Sequence, residues 1–220
     1  MATLNTSGGD VVRIDPACAS AVAALEHEPF YRSICAAAVS DDVRRRAVLT
    51  RYFAYSIEEG TAIGRCVHVA DRARGVAVWL LPQAVEVQSR AAHDKRVFLA
   101  ATLDAEGFAN YYRIVNGMSA NAARVVDASA WYLSIIAVDP SAQGQGLGRR
   151  LLEPTIAEAD CVSATCYLET FSPRNHAFYS RLGFAIEARF AEPTTGAEYA
   201  VMVRRPGQGL DVGRTLKSRK

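Results

Sequence analysis

Residues 131–150 decide the fold, and they read WYLSIIAVDPSAQGQGLGRR. The stretch Trp131 to Asp139 is apolar at nearly every position, which is typical of a strand that lies in the centre of a sheet. The glycine-rich turn from Gln143 to Gly148 then leads into a helix that we expect to end near Ala159. A strand, a glycine turn and a helix in this order place free backbone N–H groups at a helix N-terminus, where an anion such as phosphate binds readily.

The chain after this unit alternates between strand and helix patterns. We expect strands at 165–170, 184–190 and 198–204, and a helix of about ten residues at 173–182. Ser172 is the expected N-cap of that helix, and Gly183 its stop signal.

The sequence before residue 131 predicts mainly helices. We expect a short strand at 11–14, one helix over the alanine-rich stretch 17–38, and another that follows the cap at 40–42 and ends at Gly60. An antiparallel hairpin is predicted at 63–81, and two or three helices at 86–127. The fold class is therefore α/β, with a mixed, mainly antiparallel central sheet and helices on both faces.

Composition excludes several classes of protein. Half of the 220 residues are apolar and 22% are charged, which excludes disorder, collagen and coiled coils. The last 17 residues hold six of the 25 basic residues and only Asp211 of the 23 acidic ones, so the remaining body is slightly acidic. This balance disfavours a nucleic-acid surface on the folded domain.

The cysteines and histidines show no metal-binding pattern. The five cysteines form no C-x-x-C pair and the four histidines no H-x-x-x-H pair, so we expect reduced thiols and no metal site. No signal peptide and no apolar run of membrane-spanning length is evident, so we expect a cytoplasmic protein without a membrane partner.

The glycine turn does not fit two common nucleotide-binding signatures. No G-K-[ST] follows it, and reading G-x-G-x-x-G from Gly144 puts Arg149 at the last glycine position. The turn does match Q/R-x-x-G-x-G/A, as Gln143-x-x-Gly146-x-Gly148.

A second motif lies at 172–184, SPRNHAFYSRLGF. Asn175 and Tyr179 are four residues apart, so on a helix they share one face and point toward one ligand.

Together the two motifs resemble the GCN5-related N-acetyltransferase (GNAT) family. Asn175-x-x-Phe178-Tyr179-x-x-x-Gly183-Phe184 is similar to the family's later motif. With the hairpin that ends in Pro82 added, the chain looks like the branch that includes puromycin N-acetyltransferase. The match is good over 131–190 and implies one acetyltransferase domain over 1–205, with acceptor-side helical segments at 15–60 and 86–127 and a disordered basic tail at 206–220.

The resemblance implies that acetyl-CoA is the co-substrate and that its acetyl group passes to a primary amine of a small molecule by direct attack. Tyr179 would protonate the departing thiolate, and backbone N–H groups near 136–138 would stabilise the oxyanion. The strand before the loop would splay from its neighbour and face the pantetheine arm. The residues expected to bind the coenzyme are Ile136, Ala137, Val138, Gln143, Gly144, Gln145, Gly146, Leu147, Gly148, Arg149 and Asn175.

Glu169, at the end of the preceding strand, is the candidate general base that takes the proton of the amine, although a structural role is the alternative. Aromatic residues of the helical segments are candidates for an apolar acceptor site and equally for the core: Phe30, Tyr31, Tyr52, Phe53, Tyr55, Phe108, Tyr111 and Tyr112.

Two other functions stay open: an acyl-CoA-binding sensor without turnover, and a protein or peptide N-acetyltransferase. The family is often dimeric, so a homodimer is an expectation by analogy.

Overall fold

The computed structural model describes residues 15–38 and 40–207, together with the backbone of two short strands. These strands, Thr3–Leu4 (β1) and Val12–Arg13 (β2), pair antiparallel in a ribbon separate from the main sheet. The predicted first strand is thus present. The predicted disordered tail spans 206–220, and its part beyond Gly207 lies outside the described residues.

The single helix expected over 17–38 is wrong, because the chain forms two α-helices there, Ala17–Leu25 (α1) and Pro29–Ile34 (α2), followed by a 3-10 turn at Ala36–Ala38. Glu28 stands between the two helices in an extended conformation, with φ −67° and ψ 145°. A residue that precedes proline is sterically disfavoured in the helical region, so Pro29 explains the break.

The next helix, Asp42–Ile63 (α3), begins as predicted, because the Asp41 side chain accepts a hydrogen bond from the Arg44 backbone N–H at 2.9 Å. The predicted end at Gly60 is wrong, since the helix continues to Ile63. A Cβ at Gly60 would lie 2.4 Å from Val78 Cγ1. This glycine therefore allows α3 to approach the sheet closely and does not stop the helix.

The predicted hairpin is confirmed. Gly64–His68 (β3) and Gly75–Leu80 (β4) pair antiparallel across a connection that includes the 3-10 turn Arg72–Arg74. The stretch 86–127 holds two long helices, Val85–Thr102 (α4) and Ala105–Ala122 (α5).

The remaining elements follow in the predicted order: Trp131–Val138 (β5), Leu147–Cys161 (α6), Cys166–Thr170 (β6), His176–Ser180 (α7), Ala185–Glu192 (β7) and Ala197–Arg204 (β8). The six-stranded sheet has the order β3-β4-β5-β6-β8-β7, and only the β5–β6 pair is parallel. The prediction of a mainly antiparallel α/β sheet is confirmed, and β5 lies inside it.

The helix expected at 173–182 is shorter than predicted. A 3-10 turn, Pro173–Asn175, precedes the five-residue α7, and the Ser172 side chain makes no cap hydrogen bond. Gly183, with φ +89°, ends the segment as expected, because this left-handed conformation suits glycine.

Helices cover both faces of the sheet. Val76 and Val78 of β4 pack in a core with α1 to α5, whereas Ala77 and Trp79 pack in a second core with α6. The alternation of these four residues between the two cores follows from the two-residue period of a strand.

A gap opens between β5 and β6. The two strands pair only from Trp131–Cys166 to Leu133–Leu168, after which β5 continues along β4 and β6 along β8. Ser134 is an extra residue in the β4–β5 register, and such a bulge bends its strand. The expected splay is confirmed, and the gap it creates holds the candidate site.

Candidate active site

The glycine turn leaves open space above its backbone. Gly144 and Gly146 have φ of +76° and +74°, and a Cβ added at either residue would meet no atom within 4 Å. Gly146 is the N-cap of α6, and the first helical bond runs from the Arg150 N–H to the Gly146 carbonyl at 3.2 Å. The N–H groups of the first turn therefore have no acceptor within the helix and are available to a ligand.

This turn forms one wall of a cleft of 710 Å³, here called the loop cleft, whose other walls are the end of β5 and the segment 172–182. Most of the predicted coenzyme-binding residues line it: Ile136, Val138, Gln143, Gly144, Gly146, Leu147, Gly148, Arg149 and Asn175.

Two of the predicted coenzyme-binding residues do not line the loop cleft with their side chains. The Ala137 side chain is buried in the core on the other face of the sheet, so only its backbone can serve the cleft. Gln145 is exposed and does not line the cleft.

The loop cleft is lined by cations that the sequence analysis missed. Arg174 and Arg181 line it together with the predicted Arg149, whose Nε donates to Glu153 Oε1 at 2.5 Å. Their positions in the sequence could have identified them, because the two arginines flank the pair Asn175 and Tyr179.

A second cavity of 370 Å³, here called the aromatic cavity, lies between the sheet and the helices α2 to α5. Eight aromatic residues line it: Phe30, Tyr31, Tyr52, Tyr111, Tyr132, Tyr167, Phe171 and Tyr179. Four of them were acceptor-site candidates from the sequence. Of the other candidates, Phe53 belongs to the core and Tyr55 stacks on Phe98 with ring centroids 4.2 Å apart.

The two cavities meet around Tyr179. Five residues line both of them: Leu25, Glu28, Ile136, Asn175 and Tyr179. Tyr179 is buried, with 6% of its surface exposed. Burial raises the pKa of its hydroxyl, and the charge of Glu28 raises it further. Tyr179 therefore keeps its proton at neutral pH and has it available to donate.

Glu169 lies on the wall of the aromatic cavity. Its Oε2 accepts a hydrogen bond from the Tyr132 hydroxyl at 3.1 Å, while its buried Oε1 has no partner among the described residues. Burial raises the pKa of Glu169 to about 7, and the hydrogen bond from Tyr132 opposes that rise. This carboxylate can exchange a proton near neutral pH.

Glu28 was not identified from the sequence. Its extended backbone before Pro29 places it at the meeting point of the two cavities. Burial raises the pKa of its carboxyl, whereas the charge of Arg174 opposes the rise. In the sequence, the Glu28-Pro29 pair, which breaks the helix, is the feature that could have indicated this position.

Within the described ranges, no three His, Cys, Asp or Glu side chains are grouped so that they could hold a metal ion. None of the helices that the structure describes is long and apolar enough to cross a bilayer.

Residues 94–186, which run from within α4 to the start of β7, match the family model described as acetyltransferase (GNAT) domain. Over these residues the chain is similar to a GNAT acetyltransferase domain. The match includes the glycine turn, Glu169 and Tyr179, and it supports an acetyltransferase.

The chain is also similar to an individual protein. An uncharacterised N-acetyltransferase of Schizosaccharomyces pombe is 26% identical over 176 residues, which cover 78% of this chain and 70% of the relative.

Solved structures share the fold of this chain. A Corynebacterium glutamicum structure described as histone acetyltransferase HPA2 and related acetyltransferase has a TM-score of 0.55 at 24% identity, over 87% of this chain and 90% of its own. An apo agmatine N-acetyltransferase has a TM-score of 0.59 at 14% identity, over 90% and 97% of the two chains. At these identities the likeness concerns the fold alone.

Proposed function

We propose that this protein transfers the acetyl group of acetyl-CoA to a primary amine of a small molecule, by direct attack of the amine on the thioester. One observation carries the proposal: a cation-lined cleft at a helix N-terminus and an aromatic cavity meet at a single buried tyrosine, Tyr179.

The loop cleft suits the coenzyme. The open space above Gly144 and Gly146 leaves room for a pyrophosphate, which the first-turn N–H groups of α6 would bind. Arg174 and Arg181 add positive charge on the facing wall. The backbone of 136–138, freed from β6 by the splay, would receive the pantetheine arm and stabilise the oxyanion.

The proton transfers are assigned to two residues. Tyr179 would donate its proton to the thiolate as the carbon–sulfur bond breaks. Glu169, with a free Oε1 and a pKa of about 7, would take the proton that the attacking amine loses, directly or through water. A tyrosine hydroxyl of high pKa is sufficient because it is held in place before the reaction.

The acceptor side supports a small substrate. Helices α4 and α5 contribute Lys95, Tyr111 and Met118 to the wall of the aromatic cavity, so helices enclose the cavity opposite the sheet. A cavity of 370 Å³ covered by helices suits a small molecule better than a peptide, and a second cavity beside Tyr179 provides the space that an enzyme with two substrates needs. We therefore assign the segments 15–60 and 86–127 to the acceptor side of one domain spanning 1–205.

The proposed branch of the family, the cytoplasmic location and the homodimer stay predictions from the sequence.

Release of free CoA thiol, followed with a thiol-reactive dye, tests the function. We expect acetyl-CoA to be consumed only when a suitable amine is present, and the N-acetyl product to be detectable by mass spectrometry. Saturable binding of acetyl-CoA without acetylation of any amine would contradict the enzyme and favour the sensor.

A further inference from the structure

Two carboxyl groups and one paired ammonium group form the charged lining of the aromatic cavity. Among the described residues its charged lining consists of Glu28, Glu169 and Lys95. Lys95 Nζ donates a hydrogen bond to Glu59 Oε2 at 2.6 Å, and both side chains are largely buried. Because Glu59 neutralises this ammonium group, the charge of the cavity depends on Glu28 and Glu169, whose pKa values burial raises toward neutrality. Such a cavity attracts cations and repels carboxylates and phosphates.

Eight aromatic side chains contribute to the remaining wall. On the sheet side Tyr132 stacks on Tyr167, with ring centroids 4.8 Å apart and planes at 25°. On the helix side the rings of Tyr31 and Tyr52 are 5.9 Å apart. Aromatic faces bind planar apolar groups and attract cations, so the wall suits a flat body that carries an amine.

The order of these groups along the sheet gives the bound amine an orientation. Tyr132 and Tyr167 are register partners, and Glu169 follows two residues after Tyr167, just beyond the last β5–β6 pair. Ile136 and Tyr179 lie further on, where the two cavities meet. An amine that reaches Tyr179 would therefore pass Glu169 and leave its body over the tyrosine pair.

We propose that the acceptor is an amine attached to an aromatic body, carrying no carboxylate or phosphate, and that Glu28 holds its ammonium group where the two cavities meet. The proposal rests on the acetyltransferase function proposed above and specifies its substrate class.

A panel of matched amines tests the substrate class through kcat/KM. 2-Phenylethylamine has the amine and the ring; butylamine lacks the ring, putrescine replaces it with a second cation, and L-phenylalanine adds a carboxylate that L-phenylalaninamide removes again. We expect 2-phenylethylamine to exceed butylamine and putrescine by about tenfold or more. We expect L-phenylalanine to fall at least about 100-fold below L-phenylalaninamide, because its carboxylate enters a negative cavity.

The outcomes separate this proposal from the function it rests on. Acetylation that favours putrescine, butylamine or L-phenylalanine would overturn the substrate class and leave the acetyltransferase standing. Acetylation of no amine, by a sample that binds acetyl-CoA, would overturn the enzyme and the substrate class together.

Glu28→Gln tests the role of Glu28. We expect a roughly tenfold fall in kcat/KM for 2-phenylethylamine, mainly through KM. The preference for L-phenylalaninamide over L-phenylalanine should shrink as well, and this ratio does not depend on the folded fraction of the sample. Glu86→Gln, at an exposed position on α4 away from both cavities, is the control. An unchanged KM and an unchanged ratio in Glu28→Gln would remove Glu28 from substrate recognition.

Discussion

The loop cleft and the aromatic cavity differ in both charge and construction. Arginines line only the first, at positions 149, 174 and 181, whereas Glu169 lines only the second and Glu28 lies where the two meet. On the proposed function, the arginines would favour the anionic coenzyme in the loop cleft, and the carboxylates a cationic amine in the aromatic cavity. We infer from this difference that charge would sort the two substrates before they meet at Tyr179.

Gly146→Glu should have the largest effect. The backbone of the new residue must adopt a left-handed conformation that is strained for any residue but glycine. Its side chain would place a carboxylate in the open space of the loop cleft. We expect the Kd for acetyl-CoA, measured by calorimetry, to rise by about 100-fold or more. The aromatic cavity should be unaffected, so stabilisation of the variant by 2-phenylethylamine in a thermal shift assay should persist.

Gly196→Glu is the matched control for this strain. Gly196 has a similar φ of +67° and open space around it, but it lies in the β7–β8 turn, away from both cavities. A loss of acetyl-CoA binding in this control, or wild-type affinity in Gly146→Glu, would contradict the assignment of the loop cleft.

Tyr179→Phe should separate binding from turnover. Loss of the proton donor should lower kcat by about 100-fold or more, while the Kd for acetyl-CoA stays within a factor of about two. Tyr199→Phe, which changes a buried tyrosine that lines neither cavity, controls for the loss of a buried hydroxyl. If Tyr179→Phe turned over at the wild-type rate, the tyrosine would have no part in proton transfer.

The pH dependence of turnover should report on Glu169. As a base this residue must be deprotonated, and burial raises its pKa to about 7, so activity should fall as the pH is lowered through 7. Tyr132→Phe removes the hydrogen bond to the charged carboxylate. The pKa of Glu169 should then rise, and the acid limb should move to higher pH by about half a unit to one unit.

Tyr167→Phe is the control for this shift. It leaves the hydrogen bond between Tyr132 and Glu169 intact, and it should leave the acid limb in place. Comparing variants with the same amine cancels the ionisation of the substrate. An unmoved limb in Tyr132→Phe would show that Glu169 does not set the pH dependence.

Arg174→Gln should have the smallest effect. Removing one of several cations from the loop cleft should raise the Kd for acetyl-CoA by about two- to tenfold, and less at high salt because exposed charges are screened. The calorimetric Kd at two salt concentrations measures this. A change in KM for the amine without a change in the Kd for acetyl-CoA would place Arg174 on the acceptor side.

The loop cleft could largely be predicted from the sequence, because contiguous segments build it. Residues 136–149 and 172–182 supply nearly all of its lining. Gly144 and Gly146 have positive φ, a conformation that glycine adopts more readily than any other residue. Gln145 shows the limit of this prediction, since the motif spacing did not reveal that this residue is exposed and does not line the cleft.

The aromatic cavity could not be predicted in the same way, because its wall is assembled from α2 to α5 and from the faces of β5 and β6. Helical periodicity shows which residues are apolar but not whether an aromatic ring faces a cavity or the core, as Tyr52 and Phe53 illustrate. Glu28 was missed for a related reason: its importance comes from a helix break that brings it beside Tyr179.

Titration of the purified protein with acetyl-CoA in a calorimeter tests the central claim most directly, since the loop cleft is the foundation of the proposed function. The account predicts saturable binding of one acetyl-CoA per chain. The absence of binding in a sample with a cooperative melting transition would contradict it and would leave the glycine turn with only a structural role.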